Sequence, residues 1–182
     1  MKILIAEDDV SSRSVLTRML SQNGYEVIET TNGADAWQVL QQPDAPRLVI
    51  LDWMMPEMDG PEVVRRVRAL QTDRPPHIIL LSARSDKANI ITGLEIGAND
   101  YLVKPFDPGE FLARVEAGAR MVEMQLTLHR YRANAQRIRV ENDQQIHAMQ
   151  DALATKNEEL RRLQENFKVL AANLQTLREA SL

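Results

Sequence analysis

The chain has 182 residues, 26 % charged and 44 % hydrophobic, with a formal net charge of -4. That length supports one well-buried domain with residues to spare, and the mild negative charge points to neither nucleic acid nor an anionic membrane as partner. The absence of cysteine excludes disulfides and thiolate metal sites, the opening Met1–Ala6 is too short for a signal-peptide core, and no run approaches the ~20 apolar residues of a membrane span. A cytoplasmic protein is expected.

Lys2–Ala6 is a short apolar run, a buried-strand candidate, with Glu7-Asp8-Asp9 at its carboxyl end. Residues 11–22 have helical spacing, with Val15, Leu16, Met19 and Leu20 on one face and Asn23-Gly24 as terminator. Tyr25–Thr30 alternates as a strand; Ala34–Gln42 reads as helix, ended by Pro43 and Pro46. Leu48–Asp52 is a third strand that runs into a carboxylate. After a loop, Pro61 suits a first helical position, and Val63, Val64, Val67 and Leu70 form the stripe. His77–Ser82 is a fourth strand. Lys87–Ile96 is a helix with Ile90, Ile91 and Leu94 inward, and Tyr101–Val103 is a fifth strand before Lys104-Pro105. Asp107 caps a last helix that starts at Pro108. Five βα units with all-apolar strands predict an α/β fold, a doubly wound parallel sheet. Of the few topologies that right-handed crossovers leave, the flavodoxin-like (βα)5 order 2-1-3-4-5 is favoured.

In such a sheet the carboxyl ends of the strands meet on one edge. Glu7-Asp8-Asp9, Asp52, Ser82 and Lys104 all fall there. Acids without nearby sulfur or histidine make a hard oxygen site of the kind Mg²⁺ prefers. A hydroxyl and an ammonium opposite suit phosphoryl oxygens. Phosphoryl transfer to a carboxylate uses all of these groups. Each residue alone has a plainer reading: the three acids as a helix N-cap cluster, Ser82 as a strand-end cap, Lys104 as a surface charge, Tyr101 as core.

These residues resemble a known family. Glu7-Asp8-Asp9, Leu51–Gly60, Ser82-Ala83 and Asp100–Phe106 are similar, in order and spacing, to the motifs of the bacterial two-component response regulator receiver domain. The resemblance covers residues 1–120. It implies that Asp52 is the phosphoacceptor and that Asp8, Asp52 and the Met54 backbone carbonyl bind Mg²⁺, with Glu7 acting through a metal-bound water. It implies that Ser82 and Lys104 hold the phosphoryl group, that Ser82 and Tyr101 form the switch pair, and that Lys104-Pro105 is cis. Met54 and Arg84 fall at positions that tune phosphoryl lifetime. The implied donor is a histidine kinase or phosphotransfer protein, and the chain is then no enzyme beyond its own phosphorylation and dephosphorylation. An Asp-x-Asp phosphatase is disfavoured, since Asp52-Trp53-Met54 lacks the second acid.

Residues 121–182 differ in kind. All eight prolines and seven glycines lie at or before Gly118. Met121, Met124, Leu128, Tyr131, Ala135 and Ile138 repeat at alternating three and four, and Ile146, Met149, Leu153, Lys156, Leu160, Leu163, Phe167, Leu170, Leu174 and Leu177 do so again. This heptad pattern predicts a coiled coil, interrupted by a stutter through Asn142. A parallel homodimer through 121–182 is the expected partner arrangement; a long amphipathic helix folded back on the receiver or docked on another protein is the rival. Alternatives for the whole chain are a constitutive scaffold, or the receiver and linker of a longer regulator with an enzymatic output domain.

Overall fold

The computed structural model describes residues 1–70, 72–83 and 87–179, with the side chains of 87–89, 175 and 177–179 left aside. Arg84 and the Leu177 side chain, both assigned roles from the sequence, lie outside the described residues.

The elements alternate: β1 (Lys2–Ala6), α1 (Val10–Gln22), β2 (Glu26–Thr30), α2 (Gly33–Leu40), β3 (Leu48–Asp52), α3 (Gly60–Ala69), β4 (His77–Ser82), α4 (Lys87–Glu95), β5 (Asp100–Val103) and α5 (Pro108–Glu179). The strands form one parallel sheet in the order β2-β1-β3-β4-β5, the flavodoxin-like order expected. The chain separates into two compact units, Met1–His129 and Arg130–Leu182.

The first unit has a core on each face of the sheet, because alternate strand residues point to opposite sides. Val49 and Leu51 of β3 join Leu4, Ile78 and Leu80 against α2 and α3, which supply Ala36, Leu40, Val63, Val64 and Val67. Leu48 and Ile50 join Ile3, Ile5, Ile79 and Leu81 against Leu16 and Leu20 of α1 and Phe111, Val115, Ala119 and Val122 of α5. Each fully buried aliphatic side chain contributes about 1.5–3 kcal/mol relative to exposure. A central strand buried on both faces must be apolar throughout, so Asp52 at the end of β3 is an exception that the surrounding polar groups must accommodate.

Side chains set the helix starts. Asp9 accepts from the Ser12 amide, Asn32 from Asp35, Asp59 from Glu62, and Asp107 from Gly109 and Glu110. Gly60 opens α3 where a Cβ would lie 2.3 Å from the Asp52 carbonyl oxygen. Only glycine lets α3 begin that close to the strand end carrying Asp52.

Four apolar residues expected inside lie outside. Val15, Ile91 and Leu94 are exposed, as is Leu70. Val15 and Ile91 sit one position from the buried Leu16 and half-buried Ile90, which turns them about 100° off the packed face. Leu70 stands past the end of α3 in extended backbone.

The second unit is a single helical segment with a different character. Every described side chain from 130 to 174 is exposed. Among them are Ile146, Leu153, Leu160, Leu163 and Phe167, all on the predicted seam. No helix among the described residues is long and apolar enough to cross a membrane.

Candidate functional site

β1, β3 and β4 run parallel and in register, so their carboxyl ends lie side by side: Ala6 pairs with Leu51, and Asp52 with Leu81. The residue after β1 is Glu7 and the residue after Leu81 is Ser82. β5 adds Lys104 one residue past Val103, its amide donating to the Ser82 carbonyl at 2.8 Å. The register of four strands thus assembles residues 97 positions apart in sequence.

Lys104 Nζ lies 2.5 Å from Glu7 Oε2 and 2.5 Å from Asp52 Oδ1. The other Asp52 oxygen, Oδ2, accepts from the Met54 amide at 3.0 Å. Asp52, Glu7 and Ser82 are all buried. Glu7, Asp8 and Asp52 each offer a carboxylate oxygen within 4.8 Å of the others. Three acids therefore face one ammonium. Burial pushes the Glu7 carboxyl above its ordinary range; the Lys104 bond opposes this, and the charges of Asp52 and Asp8 add to it. Burial alone would lower Lys104, but its bonds to Asp52 and Glu7 outweigh that and hold the ammonium above its usual value. The excess negative charge and the hard donor set fit a divalent cation held by oxygen.

Asp9 stands apart from this group. Its carboxylate caps α1, and its hydrogen bonds to the Ser12 amide and then the Ser12 side chain hold it below the usual carboxylate range. The plain reading of the acid triplet, a helix cap, is right for Asp9, while Glu7 turns inward and Asp8 is an exposed member of the cluster. The Lys104-Pro105 bond is cis, as the resemblance implied. Tyr101 is buried, with its ring edge-on to Trp53 at 5.9 Å and 71°. The Met54 side chain is exposed.

Sequence reasoning missed Arg13. Its Nη1 donates to the Glu7 carbonyl at 2.7 Å and its Nε pairs with Glu29 at 3.3 Å, tying the acidic turn to β2. Glu7 also donates its own amide to the Thr30 carbonyl. An arginine on the first turns of an amphipathic helix carries no such signal in sequence, because the bond is to backbone.

Comparison with known proteins settles the family. Residues 3–116 match the response regulator receiver domain. The chain belongs to that family. It is 38 % identical over 117 residues to the chemotaxis protein CheY1 of Helicobacter pylori, covering 64 % of this chain and 94 % of that one. It is 45 % identical over 122 residues to the probable transcriptional regulator ycf27 of Cyanophora paradoxa, covering 67 % of this chain and 49 % of that protein. The BeF3-activated N-terminal receiver domain of RstA from Klebsiella pneumoniae superposes with a TM-score of 0.61 at 32 % identity, over 66 % of this chain and 99 % of that domain. The chain spans about half the length of the ycf27 relatives it matches. The receiver family membership rests on the first unit; residues 130–182 lie beyond the match.

Proposed function

We propose that this receiver is switched by phosphorylation of Asp52, with the phosphoryl group coming from the phosphohistidine of a histidine kinase or phosphotransfer protein. The observation that carries the reading is the placement of Lys104 between Asp52 and Glu7 at the head of an all-oxygen acid cluster. An Asp52 carboxylate oxygen attacks phosphorus, the P–N bond to the donor imidazole breaks, and the imidazole leaves with the electron pair. The product is an acyl phosphate on Asp52.

Asp8, Asp52 and the Met54 carbonyl are the proposed Mg²⁺ ligands, with Glu7 acting through a water. The ion supplies neutralisation of charge on the transferring oxygens. Lys104 exchanges its carboxylate oxygen for a phosphoryl oxygen, and the Ser82 hydroxyl donates to another. Met54 and Arg84 set access of water to the acyl phosphate. Added charge of about -1.5 to -2 then reorganises Ser82, Tyr101 and Lys104. The chain turns over no external substrate in this reading. Residues 121–182 pair in parallel with a second copy and carry the change onward.

Acetyl phosphate with Mg²⁺ should give a slower species on a phosphate-affinity gel, lost in Asp52→Asn and on chelation. Retention of the shifted species in Asp52→Asn would refute the assignment. A cysteine series along 121–174 should crosslink symmetrically between identical positions, with a pattern that changes on phosphorylation. Crosslinks in antiparallel register would overturn the parallel arrangement.

A further inference from the structure

At the opposite edge of the sheet, away from Asp52, the α2–β3 and α3–β4 connections enclose a cleft of about 340 Å³. That is within the size range of small-ligand pockets. Leu40, Pro46, Val67 and Pro76 line it and are buried. Arg47 and Arg74 line it too, and each is half-buried. Two like charges on an apolar wall need a reason, since each loses hydration there.

Among the described residues neither guanidinium has an ion-pair partner. Arg47 Nη1 donates to the Arg74 carbonyl at 2.5 Å, a backbone contact that leaves the charge unpaired. The Arg74 guanidinium makes no hydrogen bond or ion pair among the described residues, and its Nε is shut off from solvent without a partner. Burial and then the Arg74 charge push Arg47 below its usual range, and Asp73 only partly offsets this. Asp73 itself is exposed and bonds His129 Nδ1 at 3.0 Å. Asp73, the carboxylate whose charge reaches Arg47, is thus already engaged by His129, and neither guanidinium has a carboxylate of its own among the described residues.

We propose that this cleft binds a small monocarboxylic acid, its carboxylate on Arg47 and Arg74 and its apolar body against Leu40, Pro46, Val67 and Pro76. A carboxylate supplies the anion that the two guanidiniums lack, and the planar guanidinium fork matches it in bidentate fashion. The apolar wall selects a hydrocarbon body over an inorganic anion. The site is independent of phosphorylation at Asp52.

The test is amide chemical-shift titration of the 182-residue chain with benzoate, benzyl alcohol and inorganic phosphate. Benzoate should shift Leu40, Val67 and Thr72 saturably, and the other two probes should bind at least tenfold more weakly. Arg74→Met and Arg47→Met should each weaken benzoate about tenfold or more, as expected for loss of a charge-assisted bond. Thr72→Glu, an exposed change at the rim, should do the same by repulsion and guards against a folding defect in the arginine variants. Arg74→Lys should recover part of the affinity. Equal binding of benzyl alcohol, equal binding of phosphate, shifts that never saturate, or unchanged affinity in Arg74→Met and Thr72→Glu would each overturn the proposal.

Discussion

The two units of this chain solve the same physical problem in opposite ways. In residues 1–129 most large apolar side chains are covered by the unit itself: five strands and their helices bury Ile3, Leu4, Ile5, Leu48, Ile50, Leu80 and Phe111 completely. In residues 130–174 the apolar side chains are as regular in sequence, yet all of them are exposed. A lone helix has no second layer to pack against, and its own hydrogen bonds contribute little net stability in water. The receiver is complete as a folding unit, while the tail is a surface with a spacing. The same contrast holds for charges, since Lys104 is enclosed between two acids and Arg162–Glu158 is a solvated pair on the tail.

A matched pair of phenylalanine truncations separates the two units most strongly. Phe111 is fully buried and stacks on Phe106 at 5.3 Å. Phe111→Ala should cost the receiver about 3–5 kcal/mol. Phe167, 75 % exposed in the single chain, should cost the receiver nothing. Both tryptophans, Trp37 and Trp53, lie in the receiver, so urea unfolding followed by tryptophan fluorescence reads that unit alone. Helical circular dichroism of the tail, followed against protein concentration, reads the other. Phe167→Ala should lower its midpoint if the seam is buried between copies. A tail midpoint indifferent to both concentration and Phe167→Ala would remove the case for a homodimer.

What could be read in advance follows the same division. The βα order, the sheet order and the location of Asp52, Ser82 and Lys104 at strand ends were legible because strand periodicity and turn residues are local signals, and parallel connectivity leaves few arrangements. The fine burial of helices was less so. Adjacent apolar residues such as Val15-Leu16 and Ile90-Ile91 leave the facing one ambiguous until the sheet is present. The run of three acids by itself did not separate Glu7 from Asp9; only the family resemblance assigned Glu7 to the site and left Asp9 without a role. Which of them caps α1 and which turns inward depends on where the helix starts, and that is set by the Ser12 amide and by Arg13 bracing the Glu7 carbonyl. Backbone-directed bonds of this kind leave no pattern in sequence. The Arg47–Arg74 pairing across two loops was invisible for the same reason.

A second, smaller effect compares the two kinds of ion pair. Lys104→Met leaves Glu7 and Asp52 facing each other without their cation. Removing one partner of a fully buried pair costs about 3–5 kcal/mol. The Lys104 side chain is 23 % exposed, so solvent screening should reduce this to about 2 kcal/mol. Millimolar Mg²⁺ should restore more stability to Lys104→Met than it adds to the parent protein, because the ion takes over the missing charge. Arg162→Met should leave receiver unfolding unchanged and shift the tail only slightly, since solvated i,i+4 pairs contribute about 0.3–0.5 kcal/mol. If Mg²⁺ stabilised the parent and Lys104→Met equally, Lys104 and the cation would not be sharing the same acids.

The smallest expected effect concerns pH. His77 opens β4 and lies against Gly118 of α5, where a Cβ would come within 2.8 Å of its ring. Its Nδ1 is buried without a hydrogen-bond partner among the described residues. Burial pushes its pKa below the ordinary histidine value, with Asp100 opposing and Arg68 adding to the shift. The unfolded chain therefore binds a proton at higher pH than the folded one does. Stability from this group is fully present above the ordinary histidine value and is lost as pH falls from there through the lowered folded value. Urea midpoints taken between about pH 7.5 and 5.5 should fall less in His77→Gln than in the parent, with His147→Gln, an exposed tail position, following the parent. Titration of the acid cluster is common to all three proteins and cancels in the comparison. A His77→Gln profile parallel to the parent would mean that packing against Gly118 does not hold this imidazole neutral.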